Sequence, residues 1–204
     1  MPIRSILAFA LIGLAFSILS IFFLDYALAP KVLALGKGDE ALWHFITDIG
    51  DSKYMGILLV LIGLTGFILA KLRPDNAAWP ALWKKALLIS AVVSGTGIFI
   101  LVVKFIVGRA RPYMGDIGFH PFTYGSDFAS WPSAHTTSAF AFAMTVGMAF
   151  PILRWPLFAL ASLTGFSRMV LGVHYLGDVI MGATIGTLGA VLIHNWLRPK
   201  LMLT

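Results

Sequence analysis

The chain of 204 residues contains no cysteine and few charged residues. The absence of cysteine excludes disulfides, thiolate metal sites and cysteine nucleophiles. Charged residues make up 12% of the chain and apolar residues 59%, whereas soluble domains carry about 25% and about 45–50%. So few charges cannot cover the surface of a soluble protein of this size, and the same figures exclude intrinsic disorder. With a mean hydropathy of +0.90, the sequence predicts an integral membrane protein.

Six apolar stretches are each long enough to cross a bilayer, which takes about 17–25 residues per helix. They cover residues 5–24, 54–70, 86–103, 136–153, 155–173 and 174–197. The first stretch is too long for the apolar part of a signal peptide and lacks a cleavage site, so we expect it to be retained. We therefore expect an all-α protein with six transmembrane helices, forming a single membrane-embedded domain over residues 1–204.

The distribution of lysine and arginine predicts the orientation of these spans. With a cytoplasmic N-terminus, six spans place both termini on the inner side, together with eight basic residues and one acidic residue. The outer side then carries seven basic and eight acidic residues. The net charge of +6 thus reflects membrane topology, so the expected partner is the lipid bilayer and not nucleic acid. We expect a multi-pass protein of a bacterial inner membrane.

The first outer loop, residues 29–53, carries an apolar stripe at helical spacing. The stripe consists of Leu42, Phe45, Ile46 and Ile49. This spacing predicts an amphipathic helix lying in the membrane interface, and the alternative is an element that binds substrate. The second outer loop, residues 108–132, has no helical period.

Two polar clusters lie where the third and fourth spans meet the outer surface. Lys104, Arg109 and Arg111 end the third span, and such cations are typical of anchors that extend to the interface. The segment 131–135 enters the fourth span, where Ser133 is placed to cap the helix by accepting from a backbone N–H of the first turn. The alternative for this second cluster is that the free N–H groups at the helix start bind an anion.

A third cluster lies within the last two spans and consists of Ser167, Arg168, His174 and Asp178. An unpaired arginine inside a span costs at least about 2.5–3.5 kcal/mol, so its presence needs a reason. His174 and Asp178 are four residues apart, so on a helix they share a face and the carboxylate can fix the imidazole tautomer. Such a pair either holds two helices together or takes part in catalysis.

Taken together, the clusters bring two histidines, one with a carboxylate partner, to the same depth as several cations and a helix N-terminus. Cations and backbone N–H groups can hold a tetrahedral anion. One histidine can attack while the other protonates the leaving oxygen. The sequence offers no acidic cluster for Mg²⁺ and no histidine-rich set for zinc, so neither a metal nor another cofactor is expected. The combination predicts metal-independent phosphoryl transfer at the membrane surface.

The same residues form three ordered motifs. They read Lys104-x6-Arg111-Pro112, Pro132-Ser133-Ala134-His135 and Ser167-Arg168-x5-His174-x3-Asp178. In content, order and spacing they resemble the type-2 phosphatidic acid phosphatase family, whose superfamily also includes the vanadium haloperoxidases and glucose-6-phosphatase. The motifs cover residues 104–178, and agreement at this many positions is not expected by chance.

The resemblance implies a role for each matched residue. His174 would be the nucleophile that forms a phosphohistidine, and Asp178 would orient it. His135 would protonate the leaving group and then activate water. The implied phosphate-binding set is Lys104, Arg111, Ser133, Ala134 and Arg168, with Pro112 and Ser167 in supporting positions. Ala134 stands where the family usually has glycine, and alanine fits there if φ is negative, so we expect activity to survive.

The expected function is that of a membrane lipid phosphatase whose site faces the periplasm. Candidate substrates are undecaprenyl pyrophosphate, phosphatidylglycerol phosphate, phosphatidic acid and the phosphate of lipid A. The alternatives are a phosphatase of a soluble phosphate ester and a transporter that uses the buried charges. A vanadium haloperoxidase shares the same anion site, but the apolar spans argue against that soluble class.

Overall fold

The computed structural model describes residues 2–116 and 118–201. Within this part of the chain the structure consists of eight α-helices, which confirms the predicted all-α class. The helices are α1 (Ile3–Phe23), α2 (Asp25–Ala34), α3 (Glu40–Ile49), α4 (Ser52–Leu72), α5 (Ala78–Val107), α6 (Ala134–Ala149), α7 (Arg154–Val170) and α8 (Leu176–Leu197). Short 3₁₀ turns occupy Pro112–Met114 and Pro151–Leu153.

Four of the described helices are long and apolar enough to cross a membrane: α1, α4, α5 and α8. The other two predicted spans correspond to α6, with 16 residues, and α7, with 17 residues. Helix α6 ends early because the chain leaves helical geometry around Pro151, where a 3₁₀ turn follows. Helix α7 ends at Val170, before Gly172 with its φ of +66. Six spans therefore stay a prediction.

Helix α1 has small and polar residues facing the protein and large apolar residues facing outward. Gly13, Ser17 and Ser20 are its buried residues, whereas Leu11 and Phe16 are exposed. In water this arrangement would be unfavourable, but an apolar outer surface suits a bilayer, where helices associate through small and polar residues. The pattern is that of a helix placed between lipid and protein.

Helix α6 lies at the centre of the bundle and packs against α5, α7 and α8. Two glycines of α8, four residues apart, allow its closest approaches. A Cβ added to Gly182 would lie 2.6 Å from the carbonyl oxygen of Ser133, and one added to Gly186 would lie 2.4 Å from that of Thr137. The two backbones are therefore in direct contact, as the spacing of these small residues predicts.

The first outer loop contains the predicted helix and one more. Helix α3 covers the apolar stripe, and the stripe residues Leu42, Phe45 and Ile49 are exposed. The opposite face packs on α7, where Trp43 makes an edge-on contact with Phe166. The outward stripe suits a helix in the interface, although that location stays a prediction. Helix α2 was not predicted as a separate element.

All three motifs meet at one end of the bundle, where α5 and α7 end and α6 and α8 begin. The long loop after α5 covers this end. It turns at Gly108, whose φ is +60, and the backbone N–H of Ser130 donates to the carbonyl of Arg109 at 3.0 Å. This loop therefore positions residues from distant parts of the chain next to one another.

Candidate active site

The imidazole of His174 is buried against the carboxylate of Asp178. The distance from Nδ1 of His174 to Oδ2 of Asp178 is 3.3 Å. The same carboxylate oxygen accepts the backbone N–H of Tyr175 at 2.8 Å, so it is held in place from a second direction. Because Nδ1 faces the carboxylate, Nε2 is the ring nitrogen left for chemistry.

The contact between His174 and Asp178 arises differently from the prediction. Helix α8 begins at Leu176, so His174 lies in the preceding loop and the two residues do not share a helix face. That prediction was wrong, because the chain turns through Gly172, whose φ is +66, before α8 starts. The backbone N–H of His174 donates to the carbonyl of Arg168 at 3.2 Å, which folds the loop over the end of α7.

The charge state of His174 follows from its surroundings. Burial lowers the pKa of His174 to about 3. The hydrogen bond with Asp178 opposes this effect, while the positive charges of Lys104 and Arg111 lower the pKa further. The imidazole is therefore neutral at physiological pH, and its lone pair is available for nucleophilic attack.

Lys104 and Arg111 of the first motif approach this pair from α5 and the loop after it. Lys104 is buried, with 7% of its surface exposed, and its Nζ donates to the carbonyl of Ala129. It is therefore not an anchor that extends to the interface. Nε of Arg111 donates to the carbonyl of Ser126 at 2.7 Å, which fixes the guanidinium and leaves its terminal nitrogens for an anion.

Arg168 approaches from the last turn of α7. One terminal nitrogen donates to Oγ1 of Thr47, on α3, at 3.0 Å. Its Nε is buried and has no hydrogen-bond partner among the described residues. The charges of Arg111 and Lys104 act on one another and on Arg168. Three cations held close together create a site that favours an anion.

The second motif lies at the start of α6. Ser133 is the residue before the helix, but its hydroxyl accepts from the hydroxyl of Thr136 at 2.9 Å and not from a backbone N–H. The predicted side-chain cap is therefore absent, and the first-turn N–H groups are left without it. Ala134 is the first residue of α6, and among the described non-glycine residues only Phe122 has a positive φ. Alanine fits this position for the reason we expected.

His135 is half-buried and follows Ala134 in the first turn of α6. Its Nε2 lies 3.5 Å from Oδ2 of Asp51, the residue that precedes α4. The other oxygen of Asp51 accepts the backbone N–H of Lys53 at 2.8 Å. The sequence did not identify Asp51, although its position before an apolar span marks it as a helix cap. Each histidine thus has its own carboxylate neighbour.

The two residues expected to support the site have different surroundings. Ser167 is fully buried, and its hydroxyl donates to the carbonyl of Thr164 within α7 at 2.7 Å. Pro112 begins the 3₁₀ turn that directs the chain away from Arg111. Both residues shape the backbone next to a cation, and neither presents a polar side chain to the anion site.

Three polar residues, Asp25, Arg109 and Ser130, had no role in the site as it was predicted from the sequence. Arg109 is not an interface anchor: it is 2% exposed, and its terminal nitrogens lie 2.5 Å from Oδ1 of Asp178 and 2.8 Å from Oδ2 of Asp25. Ser130 donates to Oδ2 of Asp178 at 2.5 Å. Asp25, a charge at the end of a span, was the available signal for this group.

A cavity of about 340 Å³ adjoins His174. Helix α2 contributes Tyr26, Ala29 and Leu33 to its wall, and Pro112 lines the side next to the first motif. Among the described residues, no group of three or more histidines and carboxylates is placed to hold a metal ion. The arrangement can hold a tetrahedral anion between three cations, with one histidine as nucleophile and another as proton donor.

Two solved structures are similar to the chain. One is the crystal structure of a transmembrane PAP2-type phosphatidylglycerolphosphate phosphatase from Bacillus subtilis, with a TM-score of 0.70, 25% identity and coverage of 96% of each chain. The other is LpxE from Aquifex aeolicus, with a TM-score of 0.61, 19% identity and coverage of 83% of this chain and 94% of that one. The second similarity concerns the fold alone.

Curated relatives include phosphatases of several bacteria. A lipid A 1-phosphatase of Rhizobium johnstonii is 37% identical over 71% of this chain and 62% of its own length, so the chain spans less than two thirds of that protein. A decaprenylphosphoryl-5-phosphoribose phosphatase of Mycolicibacterium smegmatis is 39% identical over 65% of this chain and 80% of its own length. Phosphatidylglycerophosphatase B of Bacillus subtilis is 29% identical over 83% of this chain and 88% of its own length.

The family model described as the PAP2 superfamily matches residues 84–201. This match takes in more than half of the chain and all three motifs. It confirms the resemblance drawn from the motifs. The chain belongs to the PAP2 superfamily.

Proposed function

We propose that this protein is an integral-membrane lipid phosphatase that works through a phosphohistidine intermediate without a metal. The observation that carries the proposal is the buried His174–Asp178 pair, with Nδ1 engaged and Nε2 left for attack, next to three cations. The matched relatives are named as phosphatases of lipid A, of phosphatidylglycerophosphate and of a decaprenyl-linked sugar phosphate, which supports the reaction class.

In the first step Nε2 of His174 attacks phosphorus, a P–N bond forms and the P–O bond to the leaving group breaks. His135 donates its proton to the leaving oxygen, so the alcohol or phosphate departs protonated. In the second step a water molecule gives a proton to His135 and attacks phosphorus. The P–N bond breaks, phosphate is released and both histidines return to their starting states.

The cations and the start of α6 stabilise the negative charge that develops on the phosphoryl oxygens. Lys104, Arg111 and Arg168 act on the equatorial oxygens, together with the hydroxyl of Ser133 and the backbone N–H groups of the first turn from Ala134 onward. The unpartnered Nε of Arg168 gives this role a physical basis, because a buried donor without an acceptor is costly until an anion arrives.

The substrate class is a phosphomonoester or pyrophosphate on a membrane lipid. A lipid presents its head group at the interface while its chains stay in the bilayer, and the outward faces of the helices are apolar. Undecaprenyl pyrophosphate, phosphatidylglycerol phosphate, phosphatidic acid and the phosphate of lipid A are the candidates. The relatives act on different lipids, so they favour the class without selecting one head group.

For the topology we propose six spans with both termini in the cytoplasm of a bacterium, the protein in its inner membrane and the site on the periplasmic side. The charge asymmetry of the loops supports this orientation. The four helix ends that carry motif residues lie at one end of the bundle. Three crossings between a cytoplasmic N-terminus and Lys104 would place that end on the periplasmic side. Residues 1–204 form one membrane-embedded domain.

The test is phosphate release by detergent-purified protein in EDTA, across lipid monophosphates, lipid pyrophosphates and soluble phosphate esters. His174→Ala should abolish release, and His44→Ala, which removes an exposed histidine of α3, should not. Equal release by wild type and His174→Ala would refute the mechanism. Loss of release in EDTA would refute metal independence. Release from soluble esters alone would move the substrate class away from lipids.

A further inference from the structure

Two buried ionisable groups, Arg109 and Asp25, continue a line of contacts that begins at Asp178 of the catalytic pair. Arg109 lies between two carboxylates, with its terminal nitrogens 2.5 Å from Asp178 and 2.8 Å from Asp25. Its guanidinium also stacks on the ring of Tyr175, 4.2 Å from the ring centroid. Burial alone would lower the pKa of Arg109, but the two carboxylates outweigh that effect and raise it. Arg109 is therefore charged.

Asp25 is fixed by residues from both ends of the chain. Its Oδ1 accepts the hydroxyl of Ser20 at 2.6 Å and the backbone N–H of Gly177 at 2.9 Å. Ser17 of α1 in turn donates to the carbonyl of Gly177 at 2.8 Å. Asp25 thus joins the end of α1 to the first turn of α8. The contact on α8 is at Gly177, the residue before Asp178.

The role of these buried groups lies in the residue that they position, which is Asp178. Buried ion pairs contribute little to stability compared with apolar packing, but the loss of one partner leaves an uncompensated charge. Both terminal nitrogens of Arg109 bind carboxylates, and its Nε is buried without a partner among the described residues. Arg109 thereby holds Asp178 by one oxygen, while the other oxygen faces His174.

We propose that Asp25 and Arg109 are positioning residues, which fix the carboxylate of Asp178 and thereby the ring of His174 for attack. This inference rests on the proposed function of the site. It extends the active site to the start of α2. Groups that orient metal ligands in this way contribute about 10–100-fold to activity, and we expect an effect of the same size here.

The test compares Asp25→Asn with Asp39→Asn, the same change at an exposed position nearby. Asp25→Asn should lower kcat by about 10–100-fold with KM within about twofold, because the phosphate-binding groups are untouched. The control should match wild type. A wild-type kcat for a folded Asp25→Asn would overturn the proposal.

A double variant and an NMR measurement test the same proposal independently. The double variant Asp25→Asn/Arg109→Gln removes the ion pair between Asp25 and Arg109 as a whole, while Asp178 keeps its hydrogen bonds from the hydroxyl of Ser130 and the backbone N–H of Tyr175, so it offers a second form in which the proposal can be tested. Its kcat should stay low, and recovery to wild type would overturn the proposal. ¹⁵N NMR of the histidine rings, with His174 assigned from His174→Gln, should show a shifted His174 signal in Asp25→Asn. If wild type releases no lipid phosphate, the proposed function fails while this spectrum still tests the positioning: an unshifted signal overturns it.

A separate observation concerns the opposite end of the bundle. A pocket of about 420 Å³ there is lined by Lys85 of α5, Arg154 of α7, and His194 and Arg198 at the end of α8. Along their helices these residues lie 14 to 20 positions from Lys104, Arg168 and Asp178, which is about 21–30 Å at 1.5 Å per residue. The pocket is therefore distinct from the candidate active site.

This pocket combines positive charge with buried nitrogen atoms that have no hydrogen-bond partner among the described residues. No acidic residue is among the described residues that line it. Nε of Arg154 and Nδ1 of His194 are buried without a hydrogen-bond partner in the described part of the chain, and His194 is 7% exposed. Nitrogen atoms left in this state are costly unless an acceptor occupies the pocket.

We infer that this pocket binds a phosphate group, carried by an anionic phospholipid of the nearby leaflet or free in solution. Basic pockets between transmembrane helices are suited to lipid head groups. Phosphatidylglycerol is the appropriate probe, because its phosphodiester is not the monoester or pyrophosphate expected at the active site.

The test uses Lys85→Gln/Arg198→Gln and, as a control, Lys71→Gln/Arg73→Gln, which removes two positive charges at the same end but outside the pocket. Native mass spectrometry should show several-fold less retained phosphatidylglycerol for the pocket variant than for the control. In lipid-free detergent, a rise in melting temperature with inorganic phosphate that only the pocket variant loses would assign free phosphate instead. Equal lipid retention and equal phosphate response in both variants would overturn the inference.

Discussion

Replacing Gly186 with alanine should destabilise the bundle and lower turnover, because this glycine sets the separation of α6 and α8. The added Cβ would lie 2.4 Å from the carbonyl oxygen of Thr137 and 3.0 Å from the backbone nitrogen of Ala141. Both atoms belong to the α6 backbone, so no side chain can move aside. The helices must separate by about 1 Å to restore ordinary contact.

The free energy lost by separating the helices is partly offset, because alanine is a better helix former than glycine. Overpacking costs about 1–3 kcal/mol, and replacing a helical glycine with alanine returns up to about 1 kcal/mol. With that gain subtracted in full, the net loss is up to about 2 kcal/mol, which lowers Tm by as much as several degrees in a protein of this size. Turnover should fall by up to about 100-fold, because α6 carries His135 and α8 carries Asp178.

Gly97→Ala is the matched control, since a Cβ at Gly97 of α5 meets nothing within 4 Å. Thermal unfolding in detergent and phosphate release would be measured for both variants. Gly97→Ala should keep or raise Tm and keep activity. If Gly186→Ala were as stable and as active as Gly97→Ala, the argument that backbone contact between α6 and α8 positions the site would be refuted.

The remaining predictions concern pH and the second motif. The rate of phosphate release should have a bell-shaped pH dependence, because one histidine must be neutral and the other protonated; a flat profile between about pH 5 and 9 would contradict the assignment. Stability should also depend on pH through His174. Its pKa of about 3 in the folded protein lies below the ordinary value of about 6.5, so the unfolded chain binds a proton that the native state does not, and stability falls as pH drops below about 6.5. The drop in Tm between pH 7.5 and 5 should therefore be smaller for His174→Gln than for wild type, and equal drops would count against a buried neutral imidazole. Finally, Ala134→Gly should keep kcat within a few-fold, since Ala134 has a negative φ; a large gain in kcat would show that the methyl group obstructs the phosphate.

The motif residues could be predicted from the sequence because their chemistry is unusual for a membrane span. Arg168 and Asp178 are costly inside apolar segments, and such a cost marks a site without any knowledge of the fold. The helical class followed in the same way from six apolar runs. Helix ends were less predictable: α5 begins at Ala78, eight residues before the apolar run that marked it.

The partners of these residues could not be predicted, because the fold alone brings them together. Asp25 is separated from Arg109 by 84 positions, and nothing local to either residue indicates the other. The contact of Arg168 with Thr47 spans 121 positions. A helical spacing argument also misplaced His174, since four residues can bring two side chains together through a turn as well as through a helix.

The contacts of the first third of the chain have a consequence for how relatives of this protein differ. The family match begins at residue 84, yet Asp25, Thr47 and Asp51 all reach the site from before that point. A family core taken alone would contain every motif residue and would still lack three of the groups that surround them. Exchanging residues 1–83 between two members of the superfamily should therefore alter turnover while leaving the motifs intact, so the helices that precede the recognisable core help to determine what each enzyme does.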